Sequence, residues 1–306
     1  MNLEGLKLII RLARFHFLTI GFLLYSIGYL LALTWGAQFL LSRFLLGYLV
    51  FGLAHLSVSF SNDYFDRVTD RKSEKTPFSG GSKVLVKHPE LEKAALEIAI
   101  LLLTASIVGI VLFAFAFGYS IWFVLFGVAG GLTGWFYTAP PVKLAYRGLG
   151  ELCTMAAVGF LMPGMGYLVA AGTIGFEFII FAFPLSLYGL FFIITVELPD
   201  LESDRLAQKK NVVVKWGIKA GGILSVLATV IGSISIAVIV FSEVFPTLCL
   251  ALMIPLSMFP LWAAIKSVMT DLERREDLVK QVTINMTSLI AFGFGFNLIL
   301  VSSLLF

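Results

Sequence analysis

The stretch SNDYFDRVTD, residues 61–70, ends an apolar run that begins near residue 40 and crowds Asn62, Asp63, Asp66 and Asp70 onto its end. At about 100° per residue on a continuous helix, Asp63, Asp66 and Asp70 fall near 0°, 300° and 340° and share one face. His55, Ser59, Asn62 and Asp66 form a second stripe, within an arc of about 60°. Either stripe would set a ladder of oxygen ligands along roughly 10 Å of helix. Carboxylates packed this closely repel one another and raise each other's pKa unless a cation neutralises them, although acids at a membrane helix end are often simply solvated.

The apolar run is no exception in this chain. Of 306 residues, 59% are hydrophobic and 13% charged, and the mean hydropathy is +0.96. A soluble domain carries about a quarter charged residues, so this chain cannot coat a globule with charge, and the bilayer is its expected solvent. Windows of about 20 apolar residues, the length a hydrocarbon core demands, give nine spans near 15–35, 40–62, 94–115, 119–137, 150–171, 178–197, 220–241, 244–265 and 283–305. The expected fold is all-α: one polytopic domain over 1–306. The first run is too long for a signal-peptide core and lacks a small-x-small cleavage site, so it is expected to be retained. Cys153 and Cys249 both sit in apolar runs and read as core thiols, with no disulfide framework or CxxC metal site.

Lys and Arg check the span count. With the N-terminus inside, segments 1–14, 63–93, 138–149, 198–219 and 266–282 hold 21 of the 22 basic residues, leaving Arg43 outside. Cytoplasmic loops carry that excess, which places the N-terminus and the long loops in the cytoplasm and the C-terminus outside. Of 19 acids, only Glu177 and Glu243 fall on the outer side. Ionisable chemistry is expected on one face of the membrane.

Four spans later the motif returns. VELPDLESDR, 196–205, places Glu197, Asp200 and Asp204 at the i, i+3, i+7 spacing of Asp63, Asp66 and Asp70, again at an inner helix end. Two matched clusters in matched loops suggest pseudo-repeats over about 1–138 and 139–270, with a ninth helix at 283–305. Acidic clusters without Cys or His partners suit a hard ion, Mg²⁺, which keeps waters and is completed by phosphate oxygens. Arg67, Arg71, Lys72, Lys75, Lys83, Lys143, Arg147, Arg205, Lys209 and Lys210 surround the clusters. Acids, metal and bases together describe a diphosphate clamp. Because the acids abut membrane interior, the fitting ligand has a diphosphate head and a hydrocarbon tail, a polyprenyl diphosphate. Loss of diphosphate leaves an allylic cation, which the faces of some of the chain's 29 Phe, 9 Tyr and 5 Trp can stabilise.

NDYFDRVTD resembles the NDxxDxxxD signature of the UbiA-type intramembrane prenyltransferases, DLESD resembles their second DxxxD motif, and YTAPPVKLAYRGLGE, 137–151, is similar to their third inner segment. The resemblance covers the whole chain in motif order and helix count. It implies nine helices around a central cavity and Mg²⁺-dependent prenyl transfer from a diphosphate to a lipophilic acceptor. Asn62, Asp63, Asp66 and Asp70 would be metal and diphosphate residues of the first motif, and Asp200 and Asp204 of the second. Arg67, Arg71 and Lys143 would bind diphosphate; Arg147, Arg205 and Lys209 join them on proximity to the motifs. Glu197 lies outside the DxxxD core and rests on its spacing alone. Tyr137 would line the cavity near the reacting carbon, or anchor at the interface. TPFSGGSKVLV, 76–86, is similar to the menaquinone branch, which prenylates dihydroxynaphthoate. The Arg-Thr…Arg-Pro pattern of the hydroxybenzoate and archaeal lipid-ether branches is missing there.

His55 sits near the middle of the second span, a depth where an ionisable residue is a functional candidate. It would position or deprotonate an acceptor hydroxyl, or bond to another helix as a neutral ring. Arg11 and Arg14 would bind an acceptor carboxylate, although anchoring at the inner face also explains them. Pro163 in mid-span is expected to kink its helix. No nucleic-acid partner is expected, and these motifs encode neither prenyl length nor oligomeric state. The rival enzymes keep the donor and prenylate hydroxybenzoate, a haem or chlorin precursor, or a glyceryl phosphate lipid. The rival from another class is a transporter of a phosphorylated solute.

Overall fold

The computed structural model describes residues 3–242, 248–272 and 274–305. Glu243 and the side chain of Cys249, both assigned from sequence, lie outside the described residues. A short helix, α1 (Leu3–Ala13), leads into α2 (His16–Thr34), α3 (Leu41–Phe65), α4 (Glu92–Phe117) and α5 (Ile121–Trp135). Then follow α6 (Gly150–Ala171), α7 (Phe176–Glu197), α8 (Val212–Phe241), α9 (Met253–Met269) and α10 (Arg275–Leu305). Among the described residues no strand occurs, and eight helices are long and apolar enough to cross a membrane, with α5 a shorter ninth. The expected all-α, nine-span architecture is what the chain adopts. The sequence reading did not include α1, whose charged Glu4, Lys7 and Arg11 left no long apolar run to detect.

Large apolar side chains point outward, as lipid requires: Phe115 is 89% exposed and Trp122 74%. With tails as apolar as leucine around them, the helices are joined by small residues and cross-helix hydrogen bonds. A Cβ on Gly28 of α2 would strike the Pro163 carbonyl of α6, and one on Gly166 would strike the Tyr25 carbonyl. Ser57 and Ser106 tie α3 to α4 by donating to the carbonyls of Ala99 and Val50, each at 2.8 Å. Asn297 of α10 donates to Leu23 of α2 at 3.1 Å, which joins the last helix to the first long one. The bend expected at Pro163 is accommodated by a π-helical turn, Ala157–Leu161, immediately before it. That turn presses Gly159 against Ser186 of α7.

The bundle encloses a cavity of about 400 Å³, lined mainly by apolar side chains of α2, α3, α5, α6, α7 and α10. At its polar end lies a smaller pocket of about 130 Å³.

Candidate active site

The helix α3 does not run through the first motif. It ends at Phe65, and Asp66 adopts φ −91°, ψ 1° before a four-residue turn, Arg67–Asp70. The second motif breaks the same way. The helix α7 ends at Glu197, a 3₁₀ turn carries Pro199, and Asp200 sits at φ −98°, ψ 3° before the short helix Leu201–Leu206. This corrects the continuous-ladder geometry: Asp63, Asp66 and Asp70 do not share a straight face. The break turns each carboxylate to a different partner.

Asp63, 3% exposed, points back into the bundle. It accepts from Ser82 N–H at 3.2 Å and lies 3.4 Å from the Arg14 guanidinium. Asp66 accepts a 2.6 Å hydrogen bond from Tyr146. Asn62 lines the main cavity, and its Oδ1 accepts from buried Thr138 at 2.8 Å. Asp70 sits against the Gly80-Gly81 turn, where both glycines have positive φ (77° and 66°). A Cβ on Gly81 would collide with the Asp70 carboxylate, so only glycine lets the loop approach. Burial, then the neighbouring charges of Asp66 and Asp63, push the Asp70 carboxyl up to about 7. Lys83 reaches back to the Asp70 carbonyl and to Ser73. On the facing side, Glu197, Asp200 and Asp204 line the small polar pocket with Ser79, Tyr137, Lys209 and Asn211. Ser79 and the Gly80 backbone lie against Asp200, so one glycine loop touches both acidic motifs.

The two motifs meet at Lys209. Its ammonium lies 3.0 Å from Asp204 and 3.7 Å from Asp66. Burial works against that charge, but Asp66 and Asp204 outweigh it and hold the Lys209 pKa well above its ordinary value. The Tyr146 ring meets two cations, Lys143 at 5.3 Å and Lys209 at 5.4 Å from its centroid. Tyr137 lines both the apolar cavity and the polar pocket. Burial, then the Glu197 charge, raise its hydroxyl pKa and keep it a proton donor. His55 lines the apolar cavity with its Nδ1 buried and unpartnered.

Several sequence-assigned cations are placed elsewhere. Arg67 turns toward α4, pairing with Glu92 at 2.9 Å and donating to the Tyr64 carbonyl. Arg205 is exposed on Glu202 at 3.1 Å. Arg147 is exposed and donates to Pro141, and Arg71 is exposed. Arg67, Arg71 and Arg205 each follow a motif carboxylate by one residue, a rotation of about 100° on a helical turn that carries them off its face.

The donor set bears on whether a metal fits. Among the described residues no group of three or more His, Cys, Asp or Glu forms a ready-made metal cage. Mg²⁺ does not ask for one, since it takes one or two carboxylates and completes its shell with water and phosphate. Asp200 Oδ1 is a buried oxygen without a hydrogen-bond partner. An oxygen-only set with an orphaned acceptor fits that ion.

The fold is shared with known proteins. An Archaeoglobus fulgidus UbiA homolog bound to GPP and Mg²⁺ superposes with a TM-score of 0.69 at 19% identity, over 94% of this chain and 99% of that one. The apo UbiA homolog from Aeropyrum pernix K1 gives 0.67 at 16% identity, over 90% and 96%. In sequence, 1,4-dihydroxy-2-naphthoate octaprenyltransferase of Bacillus subtilis (strain 168) is 23% identical over 174 residues, 56% of this chain. That match spans about half, 54%, of the relative's own length. Residues 21–289, which hold both acidic motifs and every long helix except the first turn of α2 and the end of α10, match one family throughout, and the chain belongs to the UbiA prenyltransferase family.

Proposed function

We propose that this protein transfers a polyprenyl group from a polyprenyl diphosphate to a lipophilic aromatic acceptor in a Mg²⁺-dependent reaction. The observation that carries this reading is the junction of two acidic helix ends through Lys209 at the polar end of an apolar cavity. A ligand that spans the junction has an anionic head among cations and carboxylates and a tail among hydrocarbon.

Asp66, Asp70, Asp200 and Asp204 would hold Mg²⁺, with Asn62 and Glu197 beside them and Asp63 withdrawn onto Arg14. When bound, the metal supplies charge neutralisation to the departing diphosphate. Lys209 then exchanges its carboxylate partners for diphosphate oxygens, and Lys143, the other cation at the Tyr146 ring, covers the same head. The allylic carbon–oxygen bond breaks with its electron pair on the diphosphate. Tyr137, at the boundary of head and tail, faces the carbon that becomes cationic. Its neutral ring stabilises that charge by its π-face. The apolar wall excludes water, so the acceptor ring is the nucleophile: it forms the new carbon–carbon bond to the allyl cation, and the proton displaced from the ring passes to the released diphosphate.

For the acceptor we favour 1,4-dihydroxy-2-naphthoate. The GGSKVL loop and the B. subtilis relative support that choice over hydroxybenzoate, haem or chlorin precursors and glyceryl phosphate lipids. The basic loops support a cytoplasmic site, with the C-terminus outside. The matched backbone at Asp66 and Asp200 supports an internal duplication of about 1–138 and 139–270. Radiolabelled polyprenyl diphosphate and acceptor, with the protein in detergent and Mg²⁺ or EDTA, test the reading. Metal-dependent diphosphate release with a prenylated product is expected. Uptake into vesicles with the donor intact would instead identify a carrier.

A further inference from the structure

Arg14 breaks the pattern of a membrane-anchoring arginine. Such residues extend toward water, yet Arg14 is turned inward, with 18% of its side chain exposed, and lines the apolar cavity. It occupies the junction of α1 and α2 at φ 45°, a left-handed conformation that is uncommon for a side chain of this size. Buried Leu12 and Ala13 fix the chain just before it. Among the described residues it is the one formally charged side chain in the cavity wall. Its contact with Asp63 is long, at 3.4 Å. Its guanidinium lies 5.1 Å from the centroid of the Phe17 ring, and its Nε–H is buried with no hydrogen-bond partner, an unmet donor that calls for an explanation. His55 Nδ1, in the same wall, is likewise buried and unpartnered. Gly21 of α2 abuts the His55 ring, so α2 places no side chain over it.

Building on the proposed aromatic acceptor, we infer that Arg14 and His55 form an acceptor subsite for an aryl carboxylate, with Arg14 the specificity-determining cation. This subsite lies on the α2 side of Asp63, apart from Lys209 and Lys143, so head-group recognition and acceptor recognition use different cations. The guanidinium fork suits a carboxylate, and the surrounding apolar wall suits the ring that carries it.

Equilibrium binding of 1-hydroxy-2-naphthoate and 1-naphthol to the full-length protein in detergent, without Mg²⁺ or donor, tests this independently of turnover. The wild type is expected to bind the carboxylate at least about tenfold more tightly than the naphthol. Arg14→Gln should abolish that preference and leave 1-naphthol within about twofold, while Arg14→Lys should keep part of it. The KM for polyprenyl diphosphate should stay unchanged in both variants. No carboxylate preference in the wild type would overturn the inference without any variant being needed. So would an equal loss of both probes in Arg14→Lys, or a raised donor KM with acceptor binding intact. Failure of prenyl transfer with the binding preference intact would contradict the proposed reaction and leave this subsite standing.

Discussion

Asp66 and Asp204, which belong to different helices and different halves of the chain, hold one ammonium between them, with Lys209 at 3.7 Å from the first and 3.0 Å from the second. Lys209→Met leaves two carboxylates facing each other without a cation, and it also removes the proposed ligand for the diphosphate. Turnover should fall by about 100-fold or more, since a preorganised charge at the departing group is lost. Arg205→Ala is the matched control. That side chain is exposed on Glu202, and its loss should change turnover by no more than about twofold. Steady-state kinetics on monodisperse protein checks both.

Tyr146 steadies Asp66 through its 2.6 Å hydrogen bond and receives a second contact from Thr69 at 3.2 Å. Tyr146→Phe keeps the ring beside Lys143 and Lys209 and removes only the hydroxyl. Orienting partners of metal-binding carboxylates are worth about 10–100-fold in affinity. The Mg²⁺ concentration for half-maximal activity should therefore rise by about tenfold or more, with thermal stability nearly unchanged.

The glycine loop separates strain from function. Gly81→Ala places a methyl against the Asp70 carboxylate as well as straining a backbone at φ 66°. Gly36→Ala strains a backbone at φ 87° but meets open space. Each should lose about 1–2 kcal/mol of stability from the left-handed conformation. Only Gly81→Ala should also lower turnover, by about tenfold or more for an acid displaced from its position. A thermal-shift assay beside an activity assay resolves the two effects.

Packing of α2 on α6 depends on small residues. Gly166→Leu drives a side chain into the Tyr25 carbonyl and should abolish recovery of monodisperse protein in detergent. Gly52→Ala, with nothing within 4 Å of its added Cβ, should be tolerated.

The bundle was legible from sequence because its signal is long and repeated. Each span needs about 20 apolar residues, and Lys and Arg checked the count independently. The pairing of acidic motifs was legible from the echo of Asp63, Asp66 and Asp70 in Glu197, Asp200 and Asp204. The direction of each carboxylate was not. A rotation of about 100° per residue holds only while the helix continues, and the breaks at Asp66 and Asp200 redirect every side chain beyond them. Arg67 and Arg205 left the site for that reason. Lys209 entered it because the chain folds back after Leu206, which proximity in sequence suggested but could not orient. Arg14 fits both readings of a basic residue at a helix start. Only its left-handed backbone, invisible in a residue string, turns it inward. Gly80 and Gly81 were readable as part of the menaquinone-branch segment, whereas the contact of Gly81 with Asp70 is tertiary.

The most direct measurement is an experimental structure with a non-hydrolysable polyprenyl diphosphate analogue and Mn²⁺, located by its anomalous scattering. The account predicts a diphosphate in contact with Lys209 and a metal signal bridging it to carboxylates of both motifs, Asp66 or Asp70 on one side and Asp200 or Asp204 on the other. A diphosphate and metal seated on one motif alone, with Lys209 still closed between Asp66 and Asp204, would contradict it.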